Sequence, residues 1–104
     1  MKVFKIAFIS TLAIGLLVMT ALAAGDSARG KILFSDPKFA GGTAKVSCNT
    51  CHPNGKGLEN AGDGTDLAKI INTCLVNANK GKAIDPKSAD MADMIAYIKS
   101  LKAR

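Results

Sequence analysis

Five residues constrain this chain more than any others: Cys48-Asn49-Thr50-Cys51-His52. Two thiols one helical turn apart reach the two vinyl groups on one edge of a porphyrin, and the imidazole that follows then lies under the iron. C-x-x-C-H is the pattern of covalent attachment for one haem c. It assigns Cys48 and Cys51 as the thioether donors and His52 as the proximal iron ligand. Whatever fold surrounds the motif must leave room for a large, flat, mostly apolar group.

Two other chemistries use the same residue types. A thioredoxin-like dithiol needs a βαβ setting, which the glycine-rich flanks do not offer. A zinc ion could take three cysteines and the sole histidine of the chain. Zinc folds, however, usually bring their ligands as two close-spaced pairs, and Cys74 stands alone.

The compartment follows from the first residues. Met1-Lys2-Val3-Phe4-Lys5 precedes an uncharged apolar run from Ile6 to Leu22 and then small residues at Ala21-Leu22-Ala23-Ala24-Gly25. Basic start, apolar middle and small-residue junction make residues 1–23 a signal peptide, cleaved after Ala23 or Ala24. The run approaches the length of a membrane span, so an uncleaved anchor is the competing reading. Cleavage leaves one domain, 24–104, periplasmic or otherwise exported, with no stable membrane insertion.

That domain has about 80 residues, near the limit of what its own core can hold together. It has no Trp and a single Tyr. Burying a porphyrin would supply apolar area that the side chains lack. Without Lys2 and Lys5, 12 basic residues stand against 8 acidic ones, a formal +4. A mildly basic surface suits acidic partners. The lysines are scattered and aromatic residues are few, so the nucleic-acid class is excluded.

Periodicity places the elements. Ser27 to Phe34 can form a short helix that ends before Asp36-Pro37. Lys38 to Val46 reads as loop, and Pro53 to Gly64, with four glycines, two asparagines and a proline, as irregular chain. Thr65 or Asp66 can cap a helix whose Leu67, Ile70, Ile71, Cys74 and Leu75 share one apolar face, which predicts an inward Cys74. Asn77 to Lys87 is polar and broken by Gly81 and Pro86. Ser88 caps a last helix, to about Lys102, buried along Met91, Met94, Ile95, Ile98 and Leu101. No segment holds a strand's period of two. The fold class is all-α, three to four helices with long loops around one haem.

The mature region resembles the class I cytochrome c family throughout. The resemblance is carried by the first helix with Gly30 and Ile32-Leu33-Phe34, by the haem motif, and by Met94-Ile95-Ala96-Tyr97-Ile98-Lys99-Ser100-Leu101. It implies that the first and last helices cross closely, with Gly30 and Tyr97 at the contact. It departs in one respect: the family's distal methionine lies in a loop ahead of the last helix, and Asn77 to Lys87 contains none.

A narrower likeness is carried by Ile71-Asn72-Thr73-Cys74, by Asn79-Lys80-Gly81-Lys82-Ala83-Ile84-Asp85, and by Ser88-Ala89-Asp90-Met91 with Tyr97-Ile98. These are similar to the haem domains of thiosulfate dehydrogenases and of the Sox sulfur-oxidising haem subunit. That likeness implies Cys74 as the distal ligand. Read from the residues alone, Cys74 is also an odd thiol or a small core residue, and a thiolate on iron would lower the potential. Met91 is the alternative ligand, at a spacing where methionine is more often core filler. Lys80, Lys82, Asn72 and an open position complete the candidates.

The expected function is single-electron transfer between redox protein partners, not enzymatic catalysis. Lys45, Lys56, Lys80 and Lys82 are the expected rim of an exposed haem edge that meets acidic docking surfaces. The alternatives are a haem subunit or enzyme in thiosulfate oxidation, suggested by the likeness around Cys74, and a sensor with a labile sixth ligand. The aspartates are spread over caps and loops, so no paired-carboxylate site is expected.

Overall fold

Asp26 starts the first helix. Its carboxylate accepts from the backbone N–H groups of Ala28 and Arg29 at 3.0 and 3.2 Å, satisfying two donors that a helix N-terminus leaves open. Helix α1 then runs Ser27–Phe34. The computed structural model describes residues 25–103 apart from Thr65. The expected signal peptide 1–23, its cleavage at Ala23 or Ala24, and the candidate cap Thr65 lie outside the described residues.

Within them the chain is all-α, with no strand. Helices α2 (Cys48–Cys51), α3 (Leu67–Asn77) and α4 (Ala89–Ser100) follow α1. The connecting loops carry single 3-10 turns at Phe39–Gly41, Pro53–Gly55 and Ala61–Asp63. Ser88 caps α4 through the N–H of Met91, and a turn at Leu101–Ala103 carries the buried stripe on to Leu101. No helix among the described residues is long and apolar enough to cross a membrane.

The crossing of α1 and α4 organises the core. Gly30 permits it: a Cβ there would overlap the Asp93 carbonyl oxygen and stand 2.9 Å from Tyr97 Cβ. The Phe34 and Tyr97 rings meet edge on, centroids 5.1 Å apart. Polar contacts lock the same crossing. Asp93, mostly buried, accepts from the Asp26 backbone N–H at 2.7 Å and from the Arg29 guanidinium at 2.6 Å. Arg29 also reaches Asp90 at 2.7 Å. Met91, Met94, Ile98 and Leu101 fill the space beneath, and Leu67, Ile71 and Leu75 of α3 close it.

The loops are fastened main chain to main chain. Asn79 O accepts from the N–H groups of Thr43 and Ala44, and Ala40 O accepts from Lys82 N–H at 2.8 Å. Lys80 O accepts from the Thr43 hydroxyl. Lys80 within this zipper and Lys45 just past it are in left-handed conformation, φ 57° and 63°, at a cost of about 1–2 kcal/mol each. On the outer side of α3, Asn72 pins the following loop by a reciprocal pair of 2.9 Å bonds with the N–H and carbonyl of Ile84.

Candidate functional site

Helix α2 is four residues long because both its ends are held. Ser47 and Thr50 form a capping box at its start, with Ser47 N–H donating to the Thr50 hydroxyl at 2.9 Å. At its end His52 N–H closes on the Cys48 carbonyl. One turn of helix therefore carries both thiols, with the imidazole immediately after it.

Those three side chains line one open cavity of about 200 Å³. Apart from Ser47, Asn79 and the four residues Cys48, Cys51, His52 and Cys74, its walls are apolar. Phe34, Leu58, Leu67, Ile71, Met94 and Ile98 contribute to them. A shallower groove on the far side of α3, between Lys69, Asn72, Val76, Ala83 and Pro86, contains no cysteine or histidine.

The expected inward position of Cys74 is corrected in one respect. The apolar face of α3 divides: Leu67, Ile71 and Leu75 are buried, whereas Cys74 and Ile70 are exposed and line the open cavity. Ile70 retains 49% of its surface. An isoleucine and a thiol one turn apart thus form a soft, apolar wall that is left open among the described residues.

Met91 is fully buried beneath α1 and does not line the cavity; Met94, also fully buried, does. Asn72 spends its amide on Ile84. Lys45, Lys56, Lys80 and Lys82 are all exposed and line no part of the cavity. The zipper brings Lys45, Lys80 and Lys82 onto neighbouring stretches of chain, while Lys56 belongs to the loop behind His52.

The ring of His52 is oriented by the main chain. Its Nδ1 lies 3.0 Å from the Lys56 carbonyl oxygen. A carbonyl only accepts, so Nδ1 carries a proton, and in the neutral ring Nε2 then has the lone pair for a ligand. The loop that delivers this carbonyl turns sharply: Asn54, Gly55 and Gly57 all have positive φ. Gly55, at φ +80°, holds a conformation that strains any side chain, and a Cβ there would push against the methyl groups of the buried Leu101.

Asn79 is the site residue that sequence reasoning missed. It is 3% exposed, and its amide donates to Cys48 Sγ at 4.0 Å, a weak contact to a soft acceptor. Burial pushes the Cys48 thiol above its ordinary value, and the Asn79 bond offsets part of that rise. An asparagine in a polar loop shows no sign in the sequence that its side chain is buried.

The site can do two things chemically. Paired thiols at one wall can form thioethers to an apolar group that fills the cavity, and Nε2 of His52 can bind a metal that the group carries. Among the described residues no three His, Cys, Asp or Glu side chains converge closely enough to hold a bare ion. Cys48, Cys51, His52 and Cys74 stand instead around the wall of the cavity. Compared with models of known families, with curated proteins and with solved structures, the chain matches none.

Proposed function

We propose that this chain is an exported class I c-type cytochrome that carries single electrons on one covalent haem c. Cys48 and Cys51 would hold the haem through thioether bonds, and His52 would ligate its iron through Nε2. When bound, the haem supplies the ferric/ferrous couple. The protein supplies an apolar cavity, a fixed imidazole and a basic surface suited to brief contact with acidic redox partners.

The observation that carries this reading is the coincidence of the C-x-x-C-H residues with one apolar cavity. Support comes also from the bond between His52 Nδ1 and the Lys56 carbonyl and from the close crossing of α1 and α4 at Gly30 that the resemblance implies. The test is the optical spectrum and mass of the protein produced with a haem-attachment system. Thioether-bonded haem with reversible reduction is expected. A chain that acquires no covalent haem under those conditions would end the proposal.

Cys74 is the proposed distal ligand, because it is the remaining thiol on the cavity wall. Ferric electron paramagnetic resonance of the parent and of Cys74→Ala decides this: a low-spin His/thiolate signal should disappear on substitution. An unchanged signal would exclude Cys74 and turn attention to the methionines. The exposed thiol at an open cavity also favours a second reading, a haem subunit in thiosulfate oxidation. Turnover of thiosulfate by the pure protein would separate it from a carrier.

A further inference from the structure

One peptide group at the site takes part in hydrogen bonds at both ends. Its oxygen, the Lys56 carbonyl, accepts from Nδ1–H of His52 at 3.0 Å. Its N–H, that of Gly57, donates to both carboxylate oxygens of Glu59 at 3.0 Å each. Imidazole, peptide and carboxylate therefore stand in series.

Hydrogen bonds in series polarise one another. A carboxylate on the N–H side shifts electron density in the amide toward oxygen, and the carbonyl becomes a stronger acceptor. That acceptor draws on Nδ1–H and makes Nε2 a better donor to a metal, as a carboxylate bonded directly to a ligating histidine does. We infer that Glu59 is a positioning residue that raises the donor strength of His52 through the Lys56–Gly57 peptide, lowering the reduction potential of the haem. The inference rests on the haem reading above.

The local chain is built to keep this peptide still. Gly55 N–H binds the His52 carbonyl at 2.8 Å, Lys56 N–H that of Pro53 at 3.0 Å, and Leu58 N–H that of Gly55 at 2.9 Å. Gly57 sits at φ +93°, where an L side chain is strained, and this conformation presents its N–H to Glu59 while its neighbour's carbonyl faces the ring. Glu59 is itself exposed, so its charge acting through solvent is screened. The bonded route acts over 3.0 Å, well inside a Debye length, where salt screens least.

The test uses the purified haem-loaded protein and the variants Glu59→Gln and Glu59→Ala. Glutamine keeps one oxygen for the Gly57 N–H and gives up the charge together with the second acceptor oxygen. Two quantities are read: the midpoint potential, and the exchange rate of the His52 Nδ1 proton by NMR of the reduced form. Both variants should keep the parent haem spectrum, show a raised potential, and exchange the Nδ1 proton faster. A Glu59→Gln potential equal to the parent's overturns the inference. So does a raised potential with unchanged proton exchange, which is the mark of charge acting through space. A parent protein without covalent haem fails at the first spectrum, which defeats the haem reading and the inference together before any variant is made.

Discussion

Gly30 lies against the main chain of Asp93 so closely that no other residue fits between α1 and α4. The obstacle is backbone, not a side chain that can swing away. Gly30→Ala should therefore force the helices apart and destabilise the domain by about 1–3 kcal/mol. Thermal melting monitored by circular dichroism measures it, and a melt equal to the parent's would show that the crossing is looser than described.

The same crossing gives the fold an acid limit. The Arg29 guanidinium, and then the Asp26 N–H, hold the Asp93 carboxyl below its ordinary value of 3.8. The unfolded chain therefore takes up this proton at a higher pH than the folded one. The stabilisation is complete above the ordinary value and is lost as pH falls through the folded one. Unfolding free energy against pH should drop below about pH 4. Asp93→Asn should be weaker at neutral pH by about 1–3 kcal/mol and should lose that part of the acid dependence.

The loop after α3 depends on one side chain. Asn72→Ala removes the partners of the half-buried Ile84 N–H and carbonyl, at about 0.5–1.5 kcal/mol per hydrogen bond lost. Hydrogen exchange at Ile84 should accelerate more than exchange in α1. Equal protection at Ile84 in parent and variant would show that the loop is held elsewhere.

The two motif thiols should react at different rates before haem is attached. Cys51 is exposed, whereas Cys48 is half-buried and its thiol is raised by burial. Since the thiolate is the nucleophile, iodoacetamide should label Cys51 first in the haem-free chain. Asn79→Leu, which removes the donor to Cys48 Sγ, should slow Cys48 further. Peptide mapping over time reads both, and preferential labelling of Cys48 would contradict the burial.

Local signals made part of this fold legible. Ser88 and the spacing from Met91 to Leu101 gave α4, and the residues ahead of Pro37 gave α1, because caps and helical periodicity are side-chain properties. The apolar face of α3 was legible only in part. Periodicity counts Ile70 and Cys74 together with Leu67, Ile71 and Leu75, and cannot tell a wall of the core from a wall of a cavity. Helix α2 was too short for periodicity, although Ser47 and Thr50 carry a capping pattern with threonine in place of the usual glutamate. The zipper between residues 40–44 and 79–82 was invisible, since nearly all its bonds join main-chain atoms. The orientation of His52 by Lys56 was hidden for the same reason.

The carbonyl that orients His52 and the N–H that faces Glu59 belong to a single peptide bond, so neither is encoded by a side chain. Lys56 can drift to almost any residue without removing the acceptor. Gly57 can lose its donor only by becoming proline. Sequence change in a lineage would thus register at Glu59 and at the glycines shaping the turn, while position 56, which supplies the atom touching the imidazole, would look like any variable surface position.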